Sequence, residues 1–206
     1  MYAYARPKSR FIEDMMIVNG AMFFFTVIAP QFTYRYLALT PATVFTMPWT
    51  LLTSMFIHVD FTHLLFNMIG LYFFGIYVEQ LVGSKTLKRI YFLGGIAGSL
   101  AYVFTSLVFG IPAPNIPAVG ASGAVFAVMG TLVVLQPNIT IYLGFIFPMP
   151  LYIWVILYTF MALADMAATM GTIAHNAHLG GMIAGMIFGI QEKKKYGYIP
   201  KGGIRF

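Results

Sequence analysis

The chain has 206 residues, of which 60% are hydrophobic and only 9% charged, whereas about a quarter of the residues in an ordinary soluble domain are charged. This composition excludes a soluble enzyme and predicts a membrane protein, and the lack of cysteine excludes disulfides, thiolate nucleophiles and Cys-ligated metals. The formal net charge of +6 does not imply a nucleic-acid partner, because so apolar a chain has no soluble basic face to bind one.

Apolar runs of about twenty residues recur along the chain, and an α-helix of that length crosses roughly 30 Å of hydrocarbon. They predict six membrane-spanning helices, near residues 14–36, 62–81, 86–109, 122–136, 150–168 and 175–191. No small-residue cleavage site follows the first run, so we interpret it as a retained helix and not as a signal peptide. We therefore predict a single all-α membrane domain over residues 1–206.

The basic residues indicate which side of the membrane each loop occupies. Eleven of the twelve Lys and Arg residues lie before the first span, between the second and third spans, or after the last span; Arg35 is the exception. Loops rich in Lys and Arg stay on the cytoplasmic side. We therefore expect a multi-pass protein of the cell membrane with both termini, each a short basic tail, in the cytoplasm.

Two connections on the outer side have unusual compositions. Residues 39–61 are long and semi-apolar, so we expect this first loop to be partly embedded in the membrane interface. Residues 110–121 hold three prolines and two glycines and cannot form a regular helix. The span that follows reaches only from Ser122 to Gln136, about 22 Å at 1.5 Å per residue. The proline-rich loop should therefore dip into a water-accessible pocket.

Polar side chains from three distant spans are predicted to lie at a similar depth near the outer face. His63 and Asn67 are four residues apart on the second span and share a helix face. Ser122 begins the fourth span, and His178 lies in the first turn of the sixth. Because these three spans all run inwards, we expect the four side chains to converge.

Ser122 stands at a helix N-terminus, where unpaired N–H groups and the helix dipole favour negative charge. Gly120 and Gly123 beside it let backbone and substrate approach closely. With His178 as the base, the hydroxyl would be a nucleophile, and the Ser122 amide, His63 and Asn67 would supply an oxyanion hole. Taken alone, such a serine is more often only a helix cap, and a buried His or Asn often only links helices. The convergence of the whole set favours a functional site.

The remaining polar residues carry weaker hypotheses. His58 lies in the first loop, where we expect packing or a loop hydrogen bond, and His175 faces either the cavity or the lipid headgroups. Asp165 either pairs with Arg35 or lines water. No carboxylate accompanies the histidines in a zinc-hydrolase spacing, so we expect no metal and no cofactor.

Glycines repeat every four residues along the sixth span, at Gly181, Gly185 and Gly189. Such a stripe of small residues lets another helix pack at close backbone distance. We expect it to bring the fourth and sixth spans together, and with them Ser122 and His178.

Taken together, the motifs resemble those of the rhomboid family of intramembrane serine proteases. The sequence at 120–123, Gly-Ala-Ser-Gly, resembles the family's nucleophile motif, and Ala-His-Leu-Gly-Gly at 177–181 resembles its catalytic-histidine motif. Residues 58–67 resemble the second-helix pattern His-x4-His-x3-Asn, and residues 75–84 resemble the helix-end signature that follows it. The motifs occur in family order and span roughly residues 45–190.

The resemblance implies a six-helix rhomboid-like bundle and a serine endopeptidase that cuts single-pass membrane proteins with a Ser–His dyad. Ser122 would be the nucleophile and His178 the general base, then the general acid. His63, Asn67 and the Ser122 amide would form the oxyanion hole. Glu79 would belong to a structural hydrogen-bond network.

Two positions depart from the family pattern. Thr50 follows Trp49 where the family often has Trp-Arg, so a polar anchor of the first loop is absent or differently made. Phe126 stands where many bacterial members have a tyrosine, so the ring still packs on His178 but any phenol hydrogen bond is lost. No aspartate is visible to orient His178, so we expect packing and a water to do so.

The predicted partners are the lipid bilayer and single-pass membrane substrates, with no obligatory protein partner. Because a helical peptide bond is shielded, the substrate must unwind, which small residues near the cleavage site favour. Two alternatives are a transporter or channel with buried His and Asn residues, and an inactive rhomboid-like binding protein.

Overall fold

The computed structural model describes residues 10–144, 146–168 and 174–196, except for the side chains of Leu143 and Tyr196. In chain order, its helices and strands are α1 (Phe11–Ile28), α2 (Pro30–Tyr36), α3 (Thr50–Thr53), α4 (Phe61–Val82), α5 (Ser84–Phe109), α6 (Ser122–Leu135), β1 (Thr140–Leu143), β2 (Phe147–Pro150), α7 (Leu151–Ala168) and α8 (His175–Tyr196). The predicted all-α membrane architecture is confirmed, with one small β-hairpin added to it.

Four of the described helices, α1, α4, α5 and α7, are long and apolar enough to cross a membrane. Helix α6 is apolar but has only 14 residues, and α8 is not among the four. Helices occupy all six predicted positions, and six membrane crossings stay a prediction.

The prediction of one continuous helix over 14–36 was wrong. Helix α1 ends at Ile28 and a separate helix, α2, begins at Pro30. A proline has no N–H to donate and its ring clashes with the preceding turn, so a helix interrupted at Pro30 restarts with the proline in its first position.

The first loop, residues 39–61, is ordered by short helical turns and by hydrogen bonds to the end of α2. Trp49 Nε1 donates to the Tyr36 carbonyl at 2.8 Å, and Thr53 Oγ1 donates to the Leu37 carbonyl at 2.8 Å. The loop thus has a polar anchor made by these two hydrogen bonds, at a place where the family often has Trp-Arg. Thr50 is fully buried and donates to the Met47 carbonyl.

A second difference from the predicted elements is the antiparallel hairpin of β1 and β2, which pairs Thr140 with Pro150 and Leu143 with Phe147. It joins α6 to α7, in a region where we predicted only a loop. The segment has the alternating and aromatic residues of a strand, but it is too short to stand out beside apolar helices.

Helix α6 lies at the centre of the bundle and packs against α4, α5 and α8. It is apolar around its whole circumference and almost all its residues are buried, as expected for a helix surrounded by others. Close approach depends on glycine: Gly181 lies against the backbone of Gly123, and Gly185 against the backbone of Ala127. This packing sets the distance between the N-termini of α6 and α8.

We expect Gly185→Ala to destabilise the protein, because the added methyl group would overlap the Ala127 carbonyl and force α6 and α8 apart. Overpacking of this kind costs about 1–3 kcal/mol. Gly20→Ala is the matched control, since a methyl group at Gly20 has no atom within 4 Å and alanine favours helix. Thermal unfolding of both variants in detergent measures the difference. Equal midpoints would contradict the close packing of α6 on α8.

Candidate active site

A cavity of about 950 Å³ lies beside the N-termini of α4, α6 and α8 and is bordered by α7 and by the proline-rich loop. Its lining includes all four side chains that we expected to converge: His63, Asn67, Ser122 and His178. The proline-rich loop contributes residues 110–113 and 116–119. The cavity therefore brings together polar groups from helices that are distant in sequence.

Ser122 and His178 meet at one wall of this cavity. Ser122 Oγ and His178 Nε2 are 2.6 Å apart, a hydrogen-bonding distance. Phe126, one turn after Ser122 on α6, stacks on the imidazole with ring centroids 4.5 Å apart and an angle of 11° between the planes. The His178 ring is thus held from one face by packing and at Nε2 by the hydroxyl, a geometry suited to proton transfer.

The other imidazole nitrogen of His178 has a partner that the sequence analysis missed. Tyr158 Oη lies 2.6 Å from His178 Nδ1 and 3.0 Å from His175 Nδ1. Of the expected packing and water, Phe126 provides the packing, and Tyr158 of α7 occupies the position beside Nδ1.

Asp165 and His175 are in contact at the same edge of the cavity, with 3.2 Å between Asp165 Oδ2 and His175 Nε2. The hypothesis that Asp165 pairs with Arg35 was wrong, since Arg35 lies over the Tyr36 ring. His175 is buried and lines the cavity. Asp165 and Tyr158 are seven residues apart on α7, so they share a helix face, and this spacing was the signal available in the sequence.

His63 and Asn67 of α4 also line the cavity. Asp60 caps α4 by accepting the His63 N–H at 2.7 Å, which sets His63 in the first turn. Asn67 Nδ2 donates to the His63 carbonyl at 2.8 Å. The amide has two N–H groups, so a second one remains for a ligand in the cavity.

Gly120 sits where a side chain would not fit. Its φ of +122° disfavours any residue with a Cβ, and a Cβ there would lie 2.7 Å from His63 Nε2. Its N–H donates to the Ser54 carbonyl at 2.9 Å, which ties this loop to the first loop. Glycine at this position lets the chain enter α6 beside the His63 ring.

His58 supports the residue before the nucleophile candidate and does not line the cavity. Its Nε2 accepts the Ala121 N–H at 3.5 Å. Burial, and to a lesser extent the neighbouring His63 ring, lowers the pKa of His58 to about 3, so the imidazole is neutral and free to accept. The expected loop hydrogen bond is present.

Asn176, which the sequence analysis passed over, fixes the start of α8. Its Nδ2 donates to Thr105 Oγ1 at 2.5 Å and to the Ile111 carbonyl at 3.2 Å, and its Oδ1 accepts the Ala177 N–H at 3.0 Å. These bonds join α8 to the end of α5 and to the proline-rich loop. A polar residue two positions before His178 was the available signal.

Glu79 lies away from the cavity, at the turn between α4 and α5. Its carboxylate accepts the Ser84 hydroxyl at 2.5 Å, across a turn in which Gly83 has a φ of +84°. Among the described residues, no three His, Asp or Glu side chains are grouped so as to hold a metal ion.

Comparison with known proteins adds independent information. The family profile described as Rhomboid domain matches residues 46–194. Rhomboid protein 1, mitochondrial, of Saccharomyces cerevisiae is 33% identical over 192 residues, which cover 91% of this chain and 54% of the relative. Rhomboid protease GluP of Bacillus subtilis is 34% identical over 139 residues, which cover 66% of this chain and 24% of the relative. Inactive RHOMBOID-like protein 8 of Arabidopsis thaliana is 39% identical over 85 residues, which cover 41% of this chain and 22% of the relative. The chain spans about half the length, or less, of these relatives.

Proposed function

Since the chain belongs to the rhomboid family, whose profile covers residues 46–194, we propose that it is a serine endopeptidase that cuts single-pass membrane proteins. One observation carries the proposal: Ser122 Oγ lies 2.6 Å from His178 Nε2 in a cavity also lined by His63 and Asn67. A hydroxyl becomes a competent nucleophile when a base within hydrogen-bonding reach can take its proton.

In the proposed mechanism, Ser122 Oγ attacks the scissile carbonyl carbon while its proton passes to His178 Nε2. The carbonyl oxygen becomes an oxyanion, and His178 then gives the proton to the leaving amine. This leaves an ester on Ser122. Water attacks the ester with His178 again acting as base, which releases the acid product and restores the hydroxyl.

The oxyanion requires donors that are in place before charge develops. The Ser122 N–H is in the first turn of α6 and has no helical carbonyl one turn earlier to bond. Asn67, whose amide has a second N–H to donate, and the His63 imidazole line the same cavity. We assign these three groups to the oxyanion hole.

The proposed substrate is a membrane helix that unwinds at its cleavage site. Helical peptide bonds are shielded by their own hydrogen bonds, so residues of low helix propensity beside the scissile bond lower the cost of exposure. We expect cleavage next to small residues.

The test uses purified protein in liposomes with a single-span substrate whose small residues at the cleavage site are varied. Cleavage by the native protein, lost when large residues replace small ones, supports the proposal. Binding without cleavage would instead favour a binding module. Solute flux across the liposome without cleavage would favour a transporter.

We expect Gly120→Ala to lower kcat strongly, because the added methyl group would displace the His63 ring and strain a backbone at φ +122°. Loss of one oxyanion donor costs about 10²- to 10³-fold in kcat. Gly144→Ala is the matched control, since Gly144 also has a positive φ, +59°, but has no neighbour within 4 Å of an added Cβ. Equal turnover by the two variants, measured on one substrate, would contradict a role for His63.

We also propose that the protein resides in the cell membrane with both termini in the cytoplasm. With the six predicted crossings, eleven of the twelve basic residues fall in segments of one side, and loops rich in Lys and Arg stay in the cytoplasm. Because the chain has no cysteine, single cysteines report topology directly. An impermeant maleimide added to intact cells should label Ile116→Cys and not Lys85→Cys. The reverse pattern would overturn this orientation, and labelling of neither in cells, but of Ile116→Cys in isolated organelles, would overturn the location.

A further inference from the structure

A line of polar groups continues from the Ser122–His178 pair to the far edge of the cavity. His178 Nδ1 lies 2.6 Å from Tyr158 Oη, and the same oxygen lies 3.0 Å from His175 Nδ1. His175 Nε2 lies 3.2 Å from Asp165 Oδ2. Both imidazoles are buried, whereas the Asp165 side chain is 34% exposed. We call Tyr158, His175 and Asp165 the orienting line.

With both imidazoles neutral, the order of these groups fixes the direction of every hydrogen bond. A carboxylate only accepts, so His175 Nε2 must carry the hydrogen that faces Asp165. A neutral imidazole has one N–H, so His175 Nδ1 accepts from the Tyr158 hydroxyl. Tyr158 Oη then accepts the N–H of His178 Nδ1. His178 Nε2 is left without a hydrogen, which is the form that can take a proton from Ser122.

We propose that the orienting line holds His178 in the Nδ1–H tautomer, with Tyr158 as the positioning residue in contact with the base. This inference rests on the proposed protease function for its kinetic consequence, although the tautomer is a property of the free protein. In serine proteases with a triad, an aspartate bonded directly to the histidine fixes the same tautomer. In this protein the carboxylate would act through two neutral groups.

The packing of Tyr158 supports this role. Its ring stacks on Trp154, one turn earlier in α7, with centroids 5.1 Å apart and planes at 7°. Phe126 lies against it at 4.6 Å. Because Phe126 also stacks on His178, the three rings fix the hydroxyl relative to the imidazole. A hydroxyl held in this way keeps its hydrogen bond at little entropic cost.

During the reaction no proton needs to move along the line. In acylation the proton of Ser122 Oγ goes to His178 Nε2 and then to the leaving amine, and in deacylation a proton of the attacking water goes to His178 Nε2 and then to Ser122 Oγ. The positive charge on His178 is stabilised because its Nδ1–H points to a phenol oxygen that is polarised by donating towards His175 and Asp165.

Asp165→Asn would remove the requirement that His175 Nε2 carries the hydrogen, because that requirement comes from a carboxylate that can only accept. An asparagine amide can donate to His175 Nε2, so the His175 hydrogen can move to Nδ1. The Tyr158 hydroxyl would then donate to His178 Nδ1, and the His178 hydrogen would lie on Nε2, facing Ser122. That tautomer cannot accept the serine proton.

The experiment that tests the line is ¹⁵N NMR of histidine-labelled protein, with the His178 signals assigned from their loss in His178→Gln. We expect the native His178 to be mainly the Nδ1–H tautomer, and Asp165→Asn and Tyr158→Phe to raise the Nε2–H fraction. Tyr152→Phe is the matched control, since Tyr152 is a partly exposed tyrosine of the same helix and should leave the tautomer unchanged. A native Nε2–H tautomer, or one unaffected by both substitutions, would overturn the proposal.

Kinetics give a second readout. We expect Tyr158→Phe and Asp165→Asn to lower kcat about tenfold or more at unchanged KM, less than the roughly 10⁴-fold loss when a directly bonded aspartate is replaced. Equal kcat in these variants and in Tyr152→Phe would overturn the line. If the native protein cut no substrate, the protease function would fail, while the NMR result would still decide the tautomer.

Discussion

Ser122→Ala is expected to abolish proteolysis, with kcat at least about 10³-fold lower, because among the described residues that line the cavity Ser122 is the one whose hydroxyl meets His178 Nε2. The methyl side chain keeps the start of α6 and the space beside His178, so substrate binding and KM should change little. Turnover of a fluorogenic single-span substrate in liposomes measures both constants.

The matched control for that substitution is Ser106→Ala, which removes a buried serine hydroxyl from α5 without touching the cavity. We expect this control to retain the native kcat. If Ser122→Ala retained more than a small fraction of native turnover while the control behaved as expected, the reaction would not use Ser122 as its nucleophile.

His178→Gln is expected to lower kcat about as much as Ser122→Ala, because the hydroxyl without its base stays protonated and poorly nucleophilic. Residues that act as one unit are non-additive, so a variant that carries both substitutions should be no slower than either single variant. Turnover of the two single variants and the double variant on one substrate gives the comparison. A double variant slower than both by the product of the single effects would show two independent contributions and contradict the dyad.

The architecture was predictable because apolar length is a strong signal in membrane proteins. Helices near the predicted positions of α4, α5, α6, α7 and α8 follow from continuous apolar runs ended by glycine, proline or charge. Two errors arose where local chemistry competed with that signal. Pro30 interrupts an otherwise continuous apolar run. The hairpin over 140–150 has the apolar composition that the ends of the neighbouring helices also have, so its strands did not stand out in the sequence.

The Ser122 and His178 side of the cavity was predictable because depth in the membrane follows from topology, and the three helices that carry the polar residues run in the same direction. The contacts of Tyr158 and Asp165 were not predictable from the sequence. Helix α7 exposes apolar residues over much of its surface, as at Phe160 and Leu157, so its pattern does not show which face turns inwards. In lipid, an apolar residue is equally stable on either face.

The contacts that the sequence pattern did not predict arise because buried polar groups need hydrogen-bond partners. A tyrosine hydroxyl, an aspartate and a histidine within apolar helices each require a partner, and only packing determines which one each finds. The pairing of Asp165 with His175 instead of Arg35 follows from the short distance between α7 and the start of α8.

The most direct test of the proposed dyad is to locate the site of covalent attack by a fluorophosphonate, which reacts preferentially with an activated hydroxyl. Mass spectrometry of the native protein should find the adduct on Ser122, and the His178→Gln variant should show little or none. An adduct on another residue, or undiminished labelling of Ser122 without His178, would contradict the claim that this imidazole activates this hydroxyl.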